Sequence, residues 1–160
     1  MNNFNIKKII VHILIILIIF LLDRFSKIYI LNIAQTVGEV DIYINSILNL
    51  ILIWNTGIGF GLLSSDQSYV YNFVTILIIL INIVIIYLVF KSKKIVSYFY
   101  TFILGGSLGN LFDRLYYSAV PDFIDLNYNG FHWFIFNVAD VFITLGIICL
   151  ILAEFLNYKK

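Results

Sequence analysis

Four long apolar stretches decide what this chain can fold into. They cover residues 9–22, 71–90, 95–112 and 138–156. A helix that crosses a hydrocarbon core of about 30 Å needs roughly 20 apolar residues, each adding ~1.5 Å. The last three stretches meet that length. The first covers only about 21 Å, so it must continue through Asp23, Arg24 and Lys27, which gives a span over 9–30. Lys7 and Lys8 also fit the front of a signal peptide, but DRFSK supplies no small-residue cleavage site. The chain reads as one integral-membrane domain over 1–160, all-α and polytopic, with four transmembrane helices.

Composition supports that class. The chain is 62% hydrophobic and 12% charged, whereas soluble domains are about half apolar and a quarter charged. The net charge of +1 includes no basic patch, so no nucleic-acid partner is expected. Cys149 is the single cysteine and, inside an apolar run, reads as an inert buried thiol.

Charge sets the expected orientation. Lys7 and Lys8, then Lys91, Lys93 and Lys94, then Lys159 and Lys160 fall at alternate ends of the four spans. The positive-inside rule then places both termini and the 91–94 loop in the cytoplasm. All acidic residues except Glu154 fall at or beyond the outer edge.

The outer segments are 31–70 and 113–137. In VGEVDIYIN, Val40, Ile42 and Ile44 alternate with polar residues at the period of a half-buried strand. ILNLILIWNTGIGFGLLSS is too short and glycine-broken for a span, and reads as a second strand with a turn at Asn55–Gly57. Asn129–Gly130 between IDLNY and FHWFIF is a hairpin signal. A small extracytoplasmic β-sheet from 37–63 and 124–134 follows, with Trp54 and Trp133 at headgroup level.

Ionisable residues at membrane depth mark a site unless they snorkel or pair structurally. Asp23 and Lys27, at i and i+4 with the acid first, suit a local ion pair. Arg24 lies off that face and is expected to snorkel. Gly105, Gly106 and Gly109 permit close helix approach. Asn110, Asp113 and Arg114 share a helical face, with Asp113 or a carboxylate from the following loop as the expected partner of Arg114. Asn137 and Asp140 begin the fourth helix, and Asp122 is placed in the connecting loop beside Pro121.

Two carboxyls in a poorly hydrated site share a proton, so one serves as base on water while the other polarises a carbonyl. That is aspartic-peptidase chemistry. Spacing leaves the pair open among Asp113, Asp122 and Asp140. His12 and His132 fall on opposite sides, and no HExxH or Cys/His cluster exists, so no metal site is expected. GGSLG resembles the glycine-flanked serine of rhomboid-type peptidases, with Ser107 as nucleophile, but no histidine accompanies it on another span. Ser26 and Lys27 are adjacent and do not face each other on a helix. A non-catalytic four-helix module that assembles or chaperones another membrane protein is the alternative class.

DRFSK, NTGIGFGL, GGSLGNLFDR, VPDF and FNVAD, in that order from residue 23 to 140, resemble the motif set of the prolipoprotein signal peptidases, signal peptidase II. The resemblance implies an intramembrane aspartic endopeptidase of the bacterial cytoplasmic membrane. Its substrates are diacylglyceryl prolipoproteins, cut on the N-terminal side of the lipidated cysteine, with no cofactor but water. It implies Asp122 and Asp140 as the catalytic pair. Asn110, Arg114 and Asn137 then hold the substrate backbone or orient the pair, and Asn55 and Gly57 support the site and the outer sheet. Asp23, Lys27 and Asp113 become structural support. Pro121 fills the variable position of VxDF. A monomer working at the outer face of the lipid bilayer is expected.

Overall fold

The computed structural model describes residues 6–57, 68–92 and 94–158. The chain runs α1 (Ile6–Val37), β1 (Asp41–Tyr43), β2 (Leu48–Asn55), α2 (Ser68–Lys91), α3 (Lys94–Tyr117), β3 (Val120–Tyr128), β4 (Phe131–Phe136) and α4 (Val138–Tyr158). All four helices are long and apolar enough to cross a membrane. Large apolar side chains such as Leu17, Ile83, Phe90 and Ile151 stand exposed along them, as lipid-facing positions require. Residues 58–63 of the expected outer sheet, together with Lys93, Lys159 and Lys160, lie outside the described residues.

α1 and α3 run furthest past their expected C-terminal ends. α1 has 32 residues, about 48 Å at ~1.5 Å per residue, against the expected 9–30. It carries Val37, expected at the edge of the sheet. It stops where Gly38 adopts φ +89° and its N–H reaches the Ala34 carbonyl at 2.9 Å, a left-handed cap that glycine takes without strain. α3 continues past 112 to Tyr117, so Asp113 and Arg114 are helical, and Ser118 ends it at φ +59°.

α3 is the central helix and packs against the other three. Glycines make this possible. A Cβ at Gly106 would collide with the Ala139 carbonyl oxygen of α4, and one at Gly105 would lie 3.0 Å from the Ile19 side chain of α1. Ile85, Val89, Ile103 and Leu104 form the apolar core between α2 and α3. A second cluster, Ile30, Val40 and Phe123, fixes the sheet to α1.

The sheet is antiparallel in the order β1-β2-β3-β4. The Asn129–Gly130 turn joins β3 to β4 with φ +50° and +80°, the two positive angles of a type I′ hairpin. β1 is shorter than its alternation suggested. Val40 and Ile42 face inward, but Ile44 is exposed because the chain is already turning: the Asn45 side chain accepts the Ile47 and Leu48 N–H groups at 2.9 and 3.0 Å.

The expected loop around Asp122 is strand instead. β3 begins at Val120, so Pro121 and Asp122 pair with Trp54 and Ile53 of β2. Proline is tolerated there because β4 joins β3 only from Ile124 onward, so no ladder bond is lost on that side. Between Leu50↔Ile124 and Ile53↔Asp122, β2 carries one extra residue. Had the first register continued, Asp122 would oppose Leu52 and Asn55 would fall on the other face. The bulge puts Asn55 and Asp122 on one face.

Candidate active site

Asn137 starts α4. Its side-chain oxygen accepts the Asp140 backbone N–H at 3.1 Å, and the Asp140 carboxylate accepts the Asn137 N–H at 3.1 Å. This reciprocal cap satisfies two N–H groups that a helix start otherwise leaves unpaired. With its oxygen occupied, Asn137 has only its NH₂ to offer elsewhere. It donates to Asp122 Oδ1 at 2.6 Å. One asparagine therefore joins both carboxyls.

Each remaining carboxyl oxygen has its own amide. Asn55 donates to Asp122 Oδ2 at 2.9 Å, while its oxygen accepts the Gly57 N–H at 2.8 Å. Asn110 donates to Asp140 Oδ1 at 2.9 Å, while its oxygen accepts the Lys27 ammonium at 2.8 Å. In all three asparagines a donor claims the oxygen, so the NH₂ must face an acid.

Behind this pair lies a buried ionic cluster. Lys27 Nζ donates to Asp23 at 2.8 Å and Asp113 at 2.6 Å, and all three side chains are fully buried. Arg24 completes it, 2.5 Å from Asp113 and 3.4 Å from Asp23, with its guanidinium 4.9 Å from the centre of the Phe112 ring. This corrects the expectation that Arg24 snorkels. It is buried because Asp113 on α3 neutralises it, which leaves the cluster with two charges of each sign. Asp23 also accepts the Ala139 N–H of α4 at 3.0 Å. A Cβ at Gly109 would come within 2.7 Å of the same carboxylate.

Asp113 is thus turned toward α1 and is not the partner of Arg114. Arg114 donates to the Thr56 carbonyl at 3.3 Å and stacks 5.5 Å from the Tyr71 ring centre, and the Tyr71 hydroxyl donates to the Arg114 carbonyl at 2.6 Å. Sequence reasoning missed Tyr71 and Thr56. Tyr71 opens an apolar span, where its composition reads only as a headgroup aromatic.

Asp122 and Asp140 open on one cavity of about 410 Å³, which Asn55, Asn110 and Arg114 also line. Its other walls are mostly apolar, with Ile78 and Ile81 from α2 and Ile143 and Ile147 from α4. Ser107 borders it too, with no histidine near: His12 bonds Thr101 at 2.7 Å and His132 bonds Asp125 at 2.8 Å on the sheet. Burial, and next the Asp140 charge, push the Asp122 carboxyl up to about 6, against the Asn55 and Asn137 bonds. A carboxyl so placed keeps its proton into the near-neutral range and can donate it. Among the described residues no cluster of His, Cys, Asp and Glu could hold a metal ion.

Comparison with known proteins gives a consistent result. A family model described as "Signal peptidase (SPase) II" matches residues 15–156. A lipoprotein signal peptidase of Pelagibacter ubique is 55% identical over 161 residues, covering 100% of this chain and 97% of the relative. One from Anaplasma phagocytophilum is 37% identical, covering 92% and 94%. A solved bacterial membrane enzyme superposes with a TM-score of 0.78 at 28% identity, over 92% of this chain and 89% of the other. A second gives a TM-score of 0.71 at 29% identity, over 90% and 92%. By its motifs, its fold and these relatives, the chain belongs to the signal peptidase II family.

Proposed function

We propose that Asp122 and Asp140 are the catalytic pair of this enzyme. The activity itself follows from the family: the protein is an intramembrane aspartic peptidase that acts on lipoproteins. The finer reading is that it removes signal peptides from diacylglyceryl prolipoproteins by cutting on the N-terminal side of the lipidated cysteine. The observation that carries the reading is the shared cavity, in which two carboxyls bridged by Asn137 face an apolar groove between α2 and α4.

An apolar groove of this kind accepts a signal helix from the side, while the diacylglyceryl chains of the cysteine remain in lipid. A water held by both carboxyls loses a proton to one of them as it attacks the scissile carbonyl carbon. The other carboxyl gives its proton to the carbonyl oxygen, and the resulting diol collapses as the amine nitrogen takes a proton and leaves. Arg114 and Asn110, on the cavity wall, hold the substrate backbone. Asn55, ordered through Gly57, and the sheet above close over it.

In this reading the chain is one domain that works as a monomer, without a nucleic-acid partner or a cofactor other than water. Lys7, Lys8 and Lys91 mark the cytoplasmic side of the bacterial inner or plasma membrane, and the sheet marks the opposite face. The test is to incubate purified protein with a diacylglyceryl lipobox peptide and its unlipidated twin. Mass spectrometry should find one cut, N-terminal to the cysteine, in the lipidated peptide alone.

A further inference from the structure

Lys27 ends a hydrogen-bonded chain that begins at Asp140. Its Nζ donates to the Asn110 oxygen at 2.8 Å, and the Asn110 NH₂ donates to Asp140 Oδ1 at 2.9 Å. An ammonium has no acceptor. A flipped Asn110 would set its NH₂ against Lys27 and its oxygen against the carboxylate, two repulsions at once. Lys27 therefore locks the amide, and its charge polarises the bond that reaches Asp140.

Asp122 has a different setting. The oxygens of its donors, Asn55 and Asn137, accept the backbone N–H groups of Gly57 and Asp140. It sits on a strand, which carries little net dipole, whereas Asp140 lies in the first turn of α4, where the helix dipole favours negative charge. Among the described residues, the charged groups around the pair are Lys27, Asp23 and Arg24 from α1 and Asp113 and Arg114 from α3. Asp23, Asp113, Arg24 and Lys27 pair with one another, and Arg114 donates to the Thr56 carbonyl while its charge also acts on Asp122.

We propose that Lys27 is a positioning residue which, through Asn110, makes Asp140 the ionised base of the pair and leaves Asp122 to carry the proton. This rests on the catalytic pair proposed above. Asp140 takes a proton from water as the water oxygen bonds to the carbonyl carbon, and the carbonyl electron pair moves to oxygen, which takes the Asp122 proton. On collapse Asp122 recovers a proton from the diol, the C–N bond breaks, and Asp140 passes its proton to the nitrogen. Both acids end as they began.

Two variants test this. Asn110→Leu leaves Lys27 paired with Asp23 and Asp113. The double variant Lys27→Met/Asp113→Asn removes one charge of each sign, so the buried cluster stays neutral. The pH dependence of kcat/KM on a diacylglyceryl prolipoprotein is measured for the wild type, for each variant and for the two combined. The acidic limb is expected to move up by about one pH unit in each, a roughly tenfold loss at fixed acidic pH, and no further in the combination. A uniform loss of rate with the acidic limb in place, a shift of the alkaline limb alone, or additive shifts would overturn the proposal. If the wild type cleaves nothing, the catalytic reading falls and takes this one with it. If the wild type cleaves and the limbs do not move, only this proposal falls.

Discussion

Asn137 and Asp140 cap each other across the first turn of α4, each accepting the other's backbone N–H at 3.1 Å. The same Asn137 donates to Asp122 at 2.6 Å, so the start of one helix fixes the spatial relation between two carboxyls that lie 18 residues apart in sequence.

Separating those two roles of Asn137 gives a first prediction. Serine caps a helix but is too short to reach Asp122. Asn137→Ser should keep most of the stability and lose about 100-fold or more in kcat. Asn137→Ala loses the cap as well and should cost about 1 kcal/mol more. Thermal melts in detergent beside turnover assays check this, and equal melting losses in the two variants would contradict the cap.

The Asp122 carboxyl gives a pH prediction. It is raised from 3.8 to about 6, by burial first and Asp140 second. Between those values the folded protein holds a proton that the unfolded chain has released, so stability falls as pH rises through the window. Asp122→Ala should gain stability relative to the wild type from pH 4 to about pH 6 and change little beyond it. Melting temperatures across that range decide the matter; a difference that is flat, or that runs the other way, would refute it.

Glycine replacements should rank by what their Cβ meets. Gly106→Ala meets the Ala139 backbone carbonyl, which cannot move without shifting α4, whereas Gly105→Ala meets the movable Ile19 side chain. Gly106→Ala should cost about 1–3 kcal/mol and Gly105→Ala clearly less, as read from unfolding midpoints. Gly109→Ala presses on the Asp23 carboxylate and should lower stability and turnover together.

The buried cluster predicts a stability effect separate from the chemistry. Asp113→Asn leaves Lys27 and Arg24 facing Asp23 alone, and breaking such a pair costs about 3–5 kcal/mol. Adding Arg24→Met restores the charge balance and should recover most of that loss. If Asp113→Asn stays well folded but does not turn over, Asp113 belongs to the chemistry and its structural role fails.

What could be read in the sequence was what local pattern controls. Apolar runs marked the four helices, Asn129–Gly130 marked its hairpin, and the ordered motifs identified the family. Long-range partners were invisible. Arg24 looked like a snorkelling residue because Asp113, which buries it, comes from α3. Asp122 looked like a loop residue because proline usually breaks strands, and only the arrangement of the sheet, in which β4 joins β3 from Ile124 onward, shows why this one does not. The bulge that turns Asn55 toward Asp122 depends on a register that exists only once β2 and β3 meet.

The most direct test of the central claim is cleavage of a diacylglyceryl prolipoprotein by purified wild type, Asp122→Asn and Asp140→Asn, each checked for retained helicity. The wild type should release the signal peptide, and each variant should lose at least about 1000-fold in kcat while remaining folded. Normal processing by either folded variant would contradict the assignment of Asp122 and Asp140 as the catalytic pair.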